Sequence, residues 1–329
     1  MIKFNRNYIL EIEGGDGNLI TIDSSKSPLT LEFSVHEELL SSVNAGTLRI
    51  YNLSENTRRS IYHDCYDYEN VRFVRLRAGY GDKLSTILYG NISEASSFRS
   101  EGAVNFVTEM RTFDWGHAFT NSSTNRVLYP SKQPDGGTYV PQGQVIDGII
   151  TDLAHSNPSG ANVVKGYVSP QFNTKYPRAQ SLSGNSWDLL KQKTNDHCFI
   201  INGVVHCLLD DECFQSTDIL TVSEESGLLG TPRKSDQLLT FDMLFEPSIA
   251  AGQMIKLISK SDKMYNTGVN DSSSTSPFYK IFRLEHSGII SGAVNGRCRT
   301  TVSVNAGIFR LNPVTGVFVD SPATVLGAQ

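Results

Sequence analysis

Residues 45–93 read AGTLRIYNLSENTRRSIYHDCYDYENVRFVRLRAGYGDKLSTILYGNIS, and the order of signals in this stretch decides the fold class. Thr47, Arg49 and Tyr51 alternate with Leu48, Ile50 and Asn52, the period-two pattern of a strand with two unlike faces. Ser54 is placed to accept from the free N–H groups of a first helical turn, and Ile61 and Tyr62 can turn inward one to two turns later, so a short helix is predicted between them. Residues 71–80 and 86–92 then resume a β-branched and aromatic composition, with Gly79, Gly81 and Asp82 supplying the turn. The unit is strand, helix, strand, turn, strand, and no group of side chains in it is arranged for catalysis.

Working outward, residues 8–12 and 19–22 read as strands around the turn Gly14, Gly15, Asp16, Gly17. Leu29, Leu31, Phe33 and Val35 alternate with Thr30, Glu32 and Ser34, which puts four apolar side chains on one face. A further strand over 103–113 and a polar turn cluster over 120–125 complete a mostly β first domain, residues 1–121. Val145, Ile146, Ile149, Ile150 and Leu153 recur at helical spacing after Pro141, and a second helix is expected near 186–193 behind the Asn185 and Asp188 capping pair. Asn202 and Gly203 are the favoured pair for a two-residue hairpin turn. Residues 122–212 therefore read as a small α/β domain, and residues 213–329 return to β, with 266–276 as a long polar loop and Asn295–Gly296 as another hairpin turn.

The last domain echoes the first. VRFVRLRAGYGD (71–82) lies beside GQMIKLISKSDK (252–263), ILYGNISEASS (87–97) beside FYKIFRLEHSG (278–288), and EGAVNFVTEMRTF (101–113) beside SGAVNGRCRTTVSV (291–304), in the same order. A duplicated β module is inferred.

Bulk composition excludes several functions. The 29 basic and 34 acidic side chains give a net charge of −5, so there is no overall positive field to hold nucleic acid or anionic lipid. Glu11 and Glu13 arrive before any signal-peptide core, and no window reaches the roughly 18 apolar residues of a membrane span. Synthesis and folding in a cytoplasm, without a membrane anchor, are expected, and five cysteines without paired-motif spacing fit reduced thiols there.

Reactive motifs are missing too. The chain lacks G-x-S-x-G, G-x-x-x-x-G-K-[ST] and G-x-G-x-x-G, and His36-Glu37 has no second histidine to complete H-E-x-x-H. One cluster surrounds the Asn202-Gly203 turn, which sets Cys198 opposite Cys207 and Phe199 opposite His206. It admits a cross-strand disulfide, a metal site with His197 and His206, or plain reduced core thiols; reduced thiols are the default, because the histidines fall on the other face from the cysteines. Asp210, Asp211 and Glu212 are adjacent rather than at calcium-loop spacing and read as a solvated boundary. No catalytic, cofactor or metal residue is assigned.

The opening stretch also carries a family resemblance. LRIYNLSENTRRSIY (48–62) followed by VRLRAGYGDKLSTILYGNIS (74–93) resembles the N-terminal barrel of the baseplate hub, or tail hub, proteins of long-tailed bacteriophages. The matching pieces are the I-Y-N-L-S strand end at 50–54, the Thr57-Arg58 pair, A-G-Y at 78–80 and L-Y-G-x-I at 88–92. Residues 144–153 and 182–190 resemble that family's middle domain, and SEESGLLGTP (223–232) and MLFEPSIAAG (243–252) the start of its second barrel.

The resemblance implies a mainly β fold in which two tube-protein-like β-barrel domains are flanked or linked by the α/β domain. It further implies a homotrimeric ring in the virion baseplate that adapts a threefold central spike to a sixfold tail tube, nucleates the tube and leaves a channel for DNA. The expected partners are other copies of the chain, the tail tube or tube-initiator protein, the spike, and further baseplate or tape measure proteins, with no sequence-specific nucleic-acid binding, no cofactor and no enzymatic activity. An arginine- and lysine-lined channel would count against this reading, since it would retain phosphates. The equivalent hub of a contractile injection device shares the same expectations. The rival from another class is a peptidoglycan hydrolase or glycan-binding tail module, which needs exposed aromatic platforms and a carboxylate pair in a cleft.

Overall fold

A computed structural model describes residues 5–67, 70–99, 104–155, 163–214, 219–235, 238–259, 278–292, 296–306 and 310–311. The chain begins with β1 (Arg6–Glu13), β2 (Leu19–Asp23), β3 (Leu31–Glu38), β4 (Ala45–Tyr51), α1 (Glu55–Ile61), β5 (Phe73–Tyr80), β6 (Lys83–Phe98) and β7 (Val107–Phe113). The decisive stretch folds as its pattern predicts except at Tyr62, which sits at the C-terminal cap of α1 and is exposed instead of turning inward with Ile61. Ser54 caps α1 by accepting from the Thr57 N–H at 3.2 Å, a contact worth about 1 kcal/mol, and Ile61 is the face of that helix that is buried. In β3 and β4 the apolar side chains Leu31, Phe33, Val35, Leu48 and Ile50 point into one core, and Glu32, Ser34, Thr47, Arg49 and Tyr51 point away from it.

Next come α2 (Gly116–Asn121), β8 (Ser123–Leu128), β9 (Ser131–Lys132), β10 (Thr138–Pro141), α3 (Gln142–Ala154), β11 (Val164–Val168), β12 (Lys175–Tyr176), β13 (Gln180–Asn185), α4 (Ser186–Thr194), β14 (Phe199–Ile201), β15 (Val204–Cys207) and β16 (Glu212–Cys213). Both helices expected here form: α3 buries Val145, Ile146, Ile149, Ile150 and Leu153, and Asn185 caps α4 by accepting from the Asp188 N–H at 3.1 Å. Asn202 and Gly203 take positive φ of 51° and 78°, the conformation a two-residue turn joining right-twisted strands requires. The β14–β15 hairpin is shared between two cores: Phe199 and Ile201 pack with residues of the C-terminal strands, Ile200, Val205 and Cys207 with α3 and α4.

The remaining elements are β17 (Leu220–Val222), β18 (Leu228–Ser235), β19 (Leu238–Leu244), β20 (Met254–Leu257), β21 (Phe278–Ile290), β22 (Cys298–Ala306) and β23 (Arg310–Leu311). The loop expected over 266–276 and Asn295 of the second hairpin turn lie outside the described residues.

The resemblance leads one to expect two closed β-barrels; the sheets are open instead. Thirteen strands join in one sheet, whose main path runs β18-β19-β22-β21-β3-β4-β7-β6-β5-β1-β2. The reason is visible at β3. Its outer edge would have to pair with β1 or β2 to close the N-terminal sheet on itself, but eight residue pairs, from Arg283↔Glu38 to Ile290↔Leu31, give that edge to β21. An edge strand needs one partner, and here the C-terminal half supplies it. β6 changes partner along its length: residues 83–91 pair with β5 and 91–98 with β7, Asn91 is opposite both Phe73 and Phe113, and at neighbouring Gly90 a Cβ would run into the Phe113 carbonyl.

A candidate assembly interface

The strand order of the large sheet is written twice. The N-terminal half runs β3-β4-β7-β6-β5-β1, and the C-terminal half runs β18-β19-β22-β21-β20-β17, with hairpins and crossovers in matching places. The two differ in the last pair, antiparallel for β1 and β5 but parallel for β17 and β20. Each half has one long strand, β6 of 16 residues and β21 of 13, with a bulge near its middle.

Those bulges fix the residue equivalence. Ile92 and Glu94 flank one and face Thr112 and Arg111; Ile281 and Arg283 flank the other and face Val304 and Ser303. Phe73 opposite Asn91 then matches Met254 opposite Lys280, which is the offset the sequence alignment of 71–82 with 252–263 has. The other two alignments are each displaced by two residues. A two-residue slip leaves every side chain on its own face, so alternation alone could not detect it. Buried Thr108 and Thr300 coincide, as do Thr47 and Thr240, Ser34 and Arg233, and Ser96 and Glu285.

The joint between the halves is well built. Beyond the eight-pair ladder, the Arg283 guanidinium bonds the Glu38 carboxylate at 2.9 and 3.0 Å, and the Leu39 N–H donates to the Phe282 carbonyl at 3.1 Å. Burial raises the Glu38 pKa, but hydrogen bonds from Arg283 and Ser42 outweigh it, and the net shift is downward. Phe245 crosses into the N-terminal core, its ring 5.7 Å from Phe33 and its carbonyl accepting from the Tyr80 hydroxyl at 2.9 Å.

On the solvent side of the eight consecutive strands β18-β19-β22-β21-β3-β4-β7-β6, arginines pair with carboxylates of the same or a nearby strand. Arg49 bonds Glu109 at 2.7 Å and lies 3.6 Å from Glu32; Arg111 lies 3.5 Å from Glu109 and 3.4 Å from Glu94; Arg299 lies 3.9 Å from Asp242. The hydrogen bond to Glu109 raises the Arg49 pKa. Each such exposed pair adds only about 0.2–1 kcal/mol, yet together they neutralise arginines on a face that would otherwise attract phosphate. Among the described residues, the two ends of this eight-strand run are incompletely covered: β18 pairs only with β19, and the last residues of β6 pair only with β7.

Compared with solved structures, the chain matches along nearly its whole length. A tail protein from Neisseria meningitidis MC58 gives a TM-score of 0.53 at 8% identity, covering 92% of this chain and 97% of that one. The chain shares its fold with that tail protein. The 43 kDa tail protein of prophage MuSo2 from Shewanella oneidensis shares the same tail-protein fold at TM-score 0.53 and 7% identity, covering 92% of this chain and 99% of the other. So does the E. coli c3393 protein, described as a component of the type VI secretion system with structural similarity to T4 bacteriophage tail proteins gp27 and gp5 (TM-score 0.53, 11% identity, 93% and 79% covered). No protein-family model matches the sequence. No curated protein matches it either.

Where a tail-protein fold positions the reactive side chains is also clear. Cys198 and Cys207 are free thiols in the core beneath α3 and α4; burial pushes Cys198 up to about 12 and Cys207 well above its ordinary value. His206 is turned away from them, its Nδ1 accepting from the Tyr167 N–H at 3.1 Å and its pKa pushed down to about 3 by burial, whereas half-buried His197 lies 3.8 Å from Asp210. Among the described residues no three His, Cys, Asp or Glu side chains are grouped to hold a metal ion. Of the acidic triplet, Glu212 is not solvated: it is 3% exposed and accepts from Ser169. A cavity of about 300 Å³ is lined by His63, Asn91, Phe113, His117 and Phe119, and among the described residues the one carboxylate lining it is Asp67, which alone does not make a carboxylate pair.

Two buried carboxylates escaped sequence reasoning. Asp114, just past β7, accepts from the N–H groups of Asn202 and Gly203 at 2.7 and 3.0 Å and so clamps the β14–β15 turn onto the large sheet. Glu37 lies beside it at the end of β3. Burial, then the neighbouring Asp114, raise Glu37 to about 8, and burial raises Asp114 to about 7. Both Asp114 oxygens are occupied and Glu37 Oε2 has no partner, so the proton of the pair belongs on Glu37. The only sequence signal was that Glu37 continues the inward alternation of Leu31, Phe33 and Val35.

Proposed function

We propose that three copies of this chain close into a ring that serves as the structural hub of a phage tail baseplate, joining a threefold spike to a sixfold tail tube and nucleating the tube. One observation carries the reading: the same six-strand order occurs twice, joined side by side, and the two end edges, incompletely covered among the described residues, are the counterparts of the two edges joined in the middle. A head-to-tail contact that repeats an existing joint generates a ring when the rotation closes. Three chains with two modules each present six similar units to a tube and three identical ones to a spike.

In this reading residues 1–121 and 213–329 are the two tube-like modules, with open sheets shared along the ring, and residues 122–212 are the linking domain. The eight-strand face lines the channel, and the pairing of Arg49, Arg111 and Arg299 with carboxylates suits passage of DNA by weakening their hold on phosphates. The function lies in edges and faces rather than in a reacting group, and the mature location is the virion tail. Light scattering of the purified chain tests the proposal: a mass of three chains is expected, and a strict twofold dimer overturns it.

A further inference from the structure

We infer that the ring joint between copies is a short antiparallel ladder in which residues 96–98 of one chain pair with residues 233–235 of the next, Ser96 facing Ser235 and Phe98 facing Arg233 of the neighbouring copy. The inference rests on the ring reading and adds to it the register, the length and the weakness of this contact.

The register follows from equivalences within the chain. At the internal joint Glu285 faces His36 and Ser287 faces Ser34. The matched bulges make Ser96 the counterpart of Glu285 and Phe98 that of Ser287. Through the shared partners Thr47 and Thr240, Ser34 corresponds to Arg233, and through Ala45 and Leu238, His36 corresponds to Ser235. Backbone direction agrees. Ala95 exchanges both hydrogen bonds with His63 on the side away from β7, so Ser97, two residues on, points its N–H and C=O outward as well. Leu244 donates to Gly227 on the β18 side, which directs Thr240 toward Arg233 and leaves the backbone of Lys234 facing out. Ser97 and Lys234 are then the hydrogen-bonded pair, and Ser96 with Ser235 and Phe98 with Arg233 are the close-approach pairs flanking it.

Both edges are deliberately short. His63 occupies the ladder at Ala95, and Pro232 has no N–H to offer on the outward side of β18, so the contact cannot grow to the eight pairs of the internal joint. Side chains fit the assignment: Phe98 is 43% exposed and Arg233 is exposed, and facing each other they place a guanidinium over an aromatic ring. A ladder this brief closes a ring only where other contacts hold three chains together, which keeps free chains from adding strands indiscriminately.

The test is disulfide trapping in the full chain with the exposed thiol removed by Cys65→Ser. Ser96→Cys combined with Ser235→Cys should give, on mild oxidation, bonded species up to a closed trimer on non-reducing gels. The displaced pair Ser93→Cys with Ser235→Cys should give at least tenfold less. Trimers by light scattering with no bonding at 96 and 235 overturn the register and leave the ring standing; monomers throughout, with no bonding, overturn both.

Discussion

The internal joint and the two end edges use equivalent strands and reach different outcomes. Between β21 and β3 the ladder runs eight pairs, is closed by the Arg283–Glu38 bridge and is backed by Phe245 in the neighbouring core. At β6 and β18 the same backbone geometry is interrupted by His63 and by Pro232. The difference teaches that duplication supplied interchangeable edges, and that local chemistry then decided which one is permanent. A side chain buried across the joint makes it part of the fold, and a proline or a bridging loop shortens the equivalent edge, which in the proposed ring is the contact between copies.

Changes that break the internal joint should have the largest effect. Phe245→Ala removes a fully buried ring between Phe33, Tyr80 and His286 and is expected to cost about 3–5 kcal/mol in denaturant unfolding. Unchanged stability would mean that the two halves do not share a core. Next comes the clamp at the base of the joint. Asp114→Ala strands the Asn202 and Gly203 N–H groups and should cost about 1–3 kcal/mol for each group left without a partner.

The pH dependence of that clamp has a definite sign. Glu37 titrates near 8 when folded against about 4.3 in an unfolded chain, so its contribution is fully present below the unfolded value and is lost as pH rises through the folded one. Melting temperature should therefore fall between pH 6 and pH 8.5, taken as rough working limits around these values, and Glu37→Gln should flatten the slope. Parallel slopes in the two proteins would place the proton elsewhere.

Smaller effects sharpen the contrast between joint and edge. Arg283→Ala, at a half-exposed bridge, should cost only about 0.2–1 kcal/mol, because the ladder and core hold without it. Phe98→Ala should leave unfolding of the single chain within about 0.5 kcal/mol, as expected of a surface position, while lowering the yield of closed rings in size-exclusion profiles. A matching loss of chain stability would show that Phe98 serves the fold rather than the contact.

Much of this architecture was legible in the sequence. Alternation in 29–35 and 47–52, the Ser54 and Asn185 caps and the Asn202-Gly203 turn are local signals: the caps are hydrogen bonds three residues apart, and the turn is the positive φ its two residues favour. The duplication was legible as order but not as register, because strands shifted by two residues keep their faces. Barrel closure was illegible in principle: whether β3 pairs with β1 or with β21 depends on residues about 250 positions away. The same holds for the charged face of the eight-strand run. Arg49, Glu109 and Arg111 look like ordinary polar positions of separate strands until the sheet sets them side by side. Short α2 and the Glu37–Asp114 pair had no period or motif to announce them.

The central claim is that two copies of one module within the chain become six around a channel. Class averages of the purified protein, taken by electron microscopy down the particle axis, test it most directly. A ring with threefold symmetry and six similar lobes around an open centre is predicted. Particles built from one chain, or a closed twofold pair that buries the ends of β6 and β18 against their own copies, would contradict it.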